Sequence, residues 1–285
     1  SRRSLLELGI GYSPYRVSTD NFYSRELKAL VSGSSSQYFK GTTLSAAYTF
    51  NYYDYTLDSD IAPVGLKGYV RYQFQPSNLL EEYEIKDGAL IPLYKSVSNH
   101  SSELHVRYGF RTFGGQAFQA RVRGFSYFNN PDDSFYIDYI GGFMGMRSYP
   151  FFAIGGNTTA FTSLSWFAPI FKDINTQIGP YTFDKLYARF FFETGNGWYL
   201  GSSSNSPDKL DIGNKLKSGI GAELRLATNG YYLFPLRFFV SAAYGFDRFS
   251  LTLPDEFVTG SQSNRVTYGR EILFHFGLTF DFELL

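Results

Sequence analysis

Cysteine is absent from the 285 residues, so neither a disulfide framework nor a thiolate metal site can form. Charge is scarce as well, at 18% of the chain against the roughly 25% usual in soluble domains. The 26 basic and 26 acidic side chains cancel, so no net positive charge points to nucleic acid or to an anionic surface. Long hydrophobic runs are also missing. The most apolar stretch, Tyr231 to Phe246, is broken by Pro235 and Arg237 and falls short of the ~20 apolar residues that a spanning helix needs. The chain opens Ser1-Arg2-Arg3 with no apolar signal-peptide core. A removed signal, or a piece of a longer protein, is the expectation.

Patterns that carry chemistry are equally lacking. His100, His105 and His275 show no paired ligand spacing and no H-E-x-x-H. There is no G-x-S-x-G elbow, no P-loop and no G-x-G-x-x-G. Asp208 and Asp211 share the segment 201–211, where a solvated loop accounts for them better than calcium does. The expectation is a protein that is not an enzyme, with no catalytic residues, no cofactor and no metal.

What the chain has in quantity is aromatic side chains, 30 Phe and 24 Tyr, set in two-residue alternation. In the last segment Ile272, Phe274, Phe276, Leu278, Phe280 and Phe282 fall on one face. Glu271, His275, Gly277, Thr279, Asp281 and Glu283 fall on the other, with Leu273. Such a period means a strand with one apolar and one polar face. The same reading recurs upstream, where Leu104, Val106, Tyr108 and Phe110 oppose His105, Arg107, Gly109 and Arg111. Eleven strands are expected, near 4–14, 23–33, 41–54, 64–77, 102–113, 116–128, 158–169, 183–196, 215–227, 232–247 and 270–283. In the second, only Leu27, Ala29 and Val31 match. Even-numbered residues form the apolar face of all the others.

A soluble β-sandwich also alternates. Three features favour a transmembrane antiparallel up-and-down β-barrel instead. The strands are long, where soluble strands centre on about 5–6 residues and barrel spans on about 9–11. Their polar faces carry Arg, Lys, Glu and Gln, as a wet lumen permits. Aromatics such as Tyr52, Tyr53, Trp166 and Phe167 crowd the strand ends, where interface girdles sit. The whole chain, 1–285, reads as one outer-membrane barrel of 11 or 12 strands, with 88–96 a candidate for the twelfth. Its long loops would be 78–101, 129–157, 197–214 and 248–269, all extracellular, against tight turns at 113–116 and 227–232. Run backwards from a periplasmic C-terminus, that alternation places Ser1 at the extracellular rim. An odd strand count implies a missed strand or further strands upstream.

The loop 129–157 carries Gly141-Gly142-Phe143-Met144-Gly145-Met146-Arg147-Ser148-Tyr149, and two strands later comes Phe191-Phe192-Glu193-Thr194-Gly195. In order and spacing this resembles the C-terminal barrel of the BamA/TamA superfamily, the bacterial surface-antigen family. Its members have a Gly-Gly segment and an Arg-Gly-aromatic tip on the sixth extracellular loop, followed by a Phe-x-Asp-x-Gly strand. The likeness covers about the last 170 residues. Ser148 stands where the family has Gly, and Glu193 where it has Asp.

The resemblance implies a sixteen-stranded bacterial outer-membrane barrel of which this chain holds the C-terminal part. It also implies that Arg147 and Tyr149 of the tip seat against Phe191, Glu193 and Gly195 inside the lumen, with an Arg147–Glu193 ion pair holding the loop. An exposed Arg147 on a free loop is the alternative. Gly277, Leu278, Phe280 and Phe282 resemble a terminal-strand assembly signal, which an ordinary last strand would also produce. The implied function is insertion or translocation of outer-membrane proteins. Its partners would be outer-membrane lipid and lipopolysaccharide, unfolded outer-membrane clients, and periplasmic or lipoprotein accessory subunits, with no nucleic acid. A membrane anchor for an upstream propeller or enzyme domain, and a simple pore, are the other readings.

Overall fold

The computed structural model describes residues 3–24, 28–54, 64–86, 89–129, 134–199, 215–231, 234–252 and 265–280. Ten long strands form one antiparallel sheet. They are β1 (Arg3–Thr19), β2 (Ser34–Tyr53), β3 (Gly65–Lys86), β4 (Ala89–Arg111) and β5 (Ala117–Tyr127). The rest are β6 (Thr158–Phe171), β7 (Tyr181–Trp198), β8 (Lys217–Gly230), β9 (Phe234–Gly245) and β10 (Ile272–Phe280). Their order in the sheet is their order in the chain, the up-and-down arrangement that alternation and short connections favour. An eleventh, short strand, Thr176–Ile178, folds back on the start of β7. Two single 3-10 turns, Phe113–Gly115 and Ser134–Tyr136, are the helical segments among the described residues. The first makes the β4–β5 hairpin possible, because Gly114 and Gly115 adopt φ of 71° and 76°, which a side chain would resist.

Several expectations are corrected. Residues 23–33 are not a strand of the wall. Phe22–Ser24 and Ala29–Val31 pair with each other as a separate two-stranded hairpin, while β1 and β2 pair directly up to Thr19 and Ser34. Three apolar matches were too few to fill one face of a spanning strand. The segment 78–101 is not a loop but paired strand. β3 and β4 stay paired from Gly65–Gly109 out to Lys86–Ala89, so 88–96 belongs to the first half of β4 rather than to a twelfth strand. With ten strands in the wall, the start of β1 and the end of β10 lie at the same end of the sheet. The odd count that would place Ser1 at the opposite rim is thus not found, and Ser1 itself lies outside the described residues. Among the described residues β1 pairs with β2 alone and β10 with β9 alone, so the two edges are not joined and no closed barrel is formed.

The faces follow one parity. Even-numbered apolar side chains stand exposed from Leu8 of β1 through Leu44, Val70, Leu104, Leu164 and Leu224 to Phe274 of β10. Leu164 is 53% exposed, Val240 59% and Phe274 73%. On the opposite, odd face the central strands bury polar groups: Ser163, Arg189, Glu193, Glu223 and Ser241. The sheet is thus inverted with respect to a soluble fold, with oil outside and charge inside. Across the apolar face Phe110, Phe118, Trp166 and Phe190 stack from β4 to β7, with ring centroids 5.7, 6.4 and 5.5 Å apart. The Trp166 indole N–H donates to Gln116 Oε1 at 3.1 Å.

The odd face is covered by the chain between β5 and β6. Ile140, Met146, Tyr149, Ala153 and Ile154 of that segment form a buried cluster with Phe161 of β6 and Leu251. The long connection is therefore the core of the molecule, as apolar residues on a loop facing a sheet should be.

Single cysteines placed at Leu164 and Val240 should react with an apolar thiol reagent on the folded protein. Cysteines at Ser163 and Ser241, each 1% exposed, should not react until it unfolds. The reverse pattern would overturn the assigned faces.

Candidate functional site: a loop tip seated on the polar face

The tip of the 134–157 segment is shaped by its own backbone. The Met146 N–H donates to the Ile140 carbonyl at 2.6 Å, and the Gly142 N–H reaches the carbonyls of Met146 and Tyr149 at 3.0 and 2.8 Å. These bonds turn residues 147–149 toward the sheet. Gly195 of β7 gives the tip room, because a Cβ there would meet Ile140 Cδ1 at 2.9 Å and Met146 Sδ at 3.1 Å. Ser148 is buried, and faces Gly219 of β8. A Cβ on residue 219 would come within 2.5 Å of the Ser148 Cβ, so the extra side chain at 148 is accommodated by a glycine opposite it.

Arg147 enters the polar face, as expected, but divides its bonds differently. Its backbone N–H donates to Glu193 Oε2 at 2.8 Å. Its guanidinium Nη1 forms an ion pair with Glu223 Oε2 of β8, not with Glu193. The expected Arg147–Glu193 side-chain pair is thus corrected to a backbone–carboxylate bond plus a second carboxylate. The peptide N–H of residue 147 takes one Glu193 oxygen, and the longer side chain passes on to the next strand. The other Glu223 oxygen accepts from Arg225 Nη2 at 2.5 Å. Phe143 and Phe191 flank the guanidinium, with centroids 4.8 and 5.2 Å away, the distance of a cation–π contact. Phe191 was expected beside the tip, and it is there.

Tyr149 completes the seat. It is fully buried, its hydroxyl donates to the Ser218 carbonyl at 3.0 Å and accepts from the Asp247 N–H at 3.1 Å. Asp247 in turn accepts from the Ser218 N–H at 2.7 Å, so one phenol joins the start of β8 to the chain after β9. Burial pushes its pKa up to about 12.

Arg147, Tyr149, Phe191, Glu193 and Gly195 are therefore brought together. Glu223 and Arg225 were missed. Arg189 donates to Ser165 Oγ from Nε and Nη2, at 3.0 and 2.9 Å, and lies over Phe167 and Phe191. The available signal was parity: Glu223 is a lone carboxylate on the polar face of a strand that otherwise shows Gly219 and Gly221 there. The proposed terminal-strand residues are not part of this site. Gly277 lies beside Phe239 and Leu278 is exposed, while the Phe280 backbone pairs with Leu236. Phe282 and the side chain of Phe280 lie outside the described residues. No family model, no curated protein and no solved structure matches this chain.

The arrangement offers no nucleophile beside a base and no cluster of metal ligands among the described residues. What it can do is hold a loop. Both partners of the Arg147–Glu223 pair are buried: Glu223→Ala takes the carboxylate from two guanidinium groups and should cost about 3–5 kcal/mol, and Arg147→Ala, which leaves Glu223 with Arg225, somewhat less. Glu193→Gln keeps an oxygen for the Arg147 N–H and should cost much less. In a double-mutant cycle read by denaturant unfolding, the coupling of Arg147 to Glu223 should exceed that to Glu193, within the usual ~0.5–3 kcal/mol. Equal couplings would contradict the geometry.

Tyr149 gives a pH prediction. Its folded pKa lies above the unfolded value of 10.0, so its stabilisation is complete below pH 10 and is lost as pH rises towards about 12. Tyr149→Phe should flatten that part of the alkaline unfolding profile, measured by protease cleavage within 134–157.

Proposed function

We propose that this chain is the wall of an outer-membrane β-barrel of the BamA/TamA kind, acting in the insertion or translocation of outer-membrane proteins. The observation that carries the reading is the inverted sheet. The exposed apolar face spans ten strands, roughly 40 Å wide at about 4.8 Å per strand and about 30 Å tall for about nine residues at about 3.3 Å each. It covers on the order of 1,000 Å², more than the few hundred Å² that soluble monomers leave uncovered. Hydrocarbon is the solvent in which such a face is stable. The stacked row of Phe110, Phe118, Trp166 and Phe190 fits an aromatic girdle, with the Trp166 N–H kept on a polar partner.

Two further observations favour the insertase reading over an open pore. The polar face is covered in part by the 134–157 segment, which takes up space that a pore would use. The tip and the Phe191-x-Glu193-x-Gly195 strand, the two motifs on which the resemblance rests, meet in space. In a bilayer the unpaired edges of β1 and β10 would need partner strands, because exposed peptide groups are costly in hydrocarbon. Additional strands of the same polypeptide, towards the family's sixteen, would supply them. An unsatisfied edge is also what templating of a client strand would use.

Membrane insertion is tested by refolding into lipid vesicles. Val106→Arg and Phe238→Arg should each cost ~2–4 kcal/mol there, and Gln119→Arg little. Equal costs would remove the membrane reading. The insertase reading is tested by adding a urea-denatured outer-membrane barrel to vesicles that contain this protein. The client should fold faster than with empty vesicles, and less so with Arg147→Ala. No acceleration by the intact chain would leave the anchor reading in its place.

A further inference from the structure

The polar face holds a second group of cations that the loop seat does not use. Lys67 of β3, Arg107 of β4 and Arg121 of β5 are direct partners in register, Lys67 with Arg107 and Arg107 with Arg121. Three like charges in one row across adjacent strands repel, since opposed Cβ atoms stand only about 4.5–5.5 Å apart. Elsewhere on this face several cations meet carboxylates, while Arg189 is held by Ser165 Oγ. Arg123 reaches Asp138 at 2.7 Å and Glu103 at 3.6 Å, Arg71 reaches Glu103 at 3.7 Å, and Arg147 and Arg225 share Glu223.

Arg107 and Arg121 have no such partner. Among the described residues neither guanidinium lies within ion-pair distance of a carboxylate. Arg107 donates from Nε to the neutral acceptor His105 Nε2 at 3.3 Å. Arg121 reaches only the Gly145 carbonyl, at 3.4 Å from Nη2, and stacks over Phe161. Its Nε is buried with no hydrogen-bond partner. Such a donor leaves free energy unclaimed, about 1–3 kcal/mol for a neutral group and more for a charged one. Glu193 is separated from Arg121 by Ser163; its Oε2 accepts from the Arg147 N–H, and its Oε1 is buried beyond hydrogen-bond reach of any donor among the described residues.

We infer that Arg107 and Arg121, with Lys67 beside them, bind a water-soluble phosphate-type oxyanion on the polar face. Guanidinium forks on directly paired residues of adjacent strands suit a tetrahedral oxyanion, which offers several acceptor oxygens at once. All three side chains are half-buried rather than sealed. Because Gly145 shares Arg121, an ion there would also brace the 134–157 tip. The inference does not rest on the membrane reading, since the same face exists whatever covers the opposite one.

The test is calorimetric titration of the full chain in detergent with inorganic phosphate, at ionic strength fixed with chloride. Saturable binding at one site is expected, weakened at least tenfold by Arg107→Gln or Arg121→Gln and unchanged by Arg71→Gln, whose charge already has Glu103. Absence of saturable heat, or affinity unaltered in the first two variants, would overturn the site. If those variants do not fold, the wild type suffices: phosphate should protect Arg107 and Arg121 from phenylglyoxal relative to chloride. Modification of both at the same rate with and without phosphate would overturn it equally.

Discussion

Glu223 is a carboxylate at 1% exposure, and a charge so placed persists only if other charges meet it. Arg147 arrives from the loop and Arg225 from the same strand, one on each oxygen. The rest of the seat depends on this arrangement. It fixes where residue 147 can lie, which sets the Glu193 contact with its N–H and brings the Tyr149 phenol to Ser218 and Asp247. The apolar cluster of Ile140, Met146 and Ile154 then closes over the sheet beside it. Burial supplies the affinity of the loop for the sheet, and the ion pair supplies its register.

That charge can be buried at all follows from the inversion of the sheet. In a soluble sheet the apolar face would pack inward and the loop would meet Leu, Val and Phe. Here the inward face is lined by Ser163, Ser165, Arg189 and Glu193, so the loop must bring polar partners as well as apolar bulk. Peptide groups and small hydroxyls serve that need: Ser165 for Arg189, the Gly145 carbonyl for Arg121, the Arg147 N–H for Glu193.

The alternation read from the sequence survives in the wall almost strand for strand. It identified β5, β6, β7 and β8 within a few residues of their ends, because both faces of those strands are chemically unambiguous. It failed at 23–33, where Leu27, Ala29 and Val31 cannot distinguish a wall strand from a small hairpin. It also failed at 78–101, where Ser, Asn and Glu read as loop although their backbones stay paired in a long hairpin. One strand wrongly counted reversed the placement of the first residue, since every strand added to an up-and-down sheet exchanges its ends.

The sequence by itself determined the two-faced strands and their parity, because side-chain alternation is a local property of extended chain; the inward tip was an expectation of the family resemblance alone. Only the tertiary structure decided which carboxylate meets Arg147. Glu193 and Glu223 share a parity on neighbouring strands, and local pattern cannot rank them. The choice lies in the direction from which the loop descends, which presents the backbone N–H to β7 and leaves the side chain long enough to reach β8.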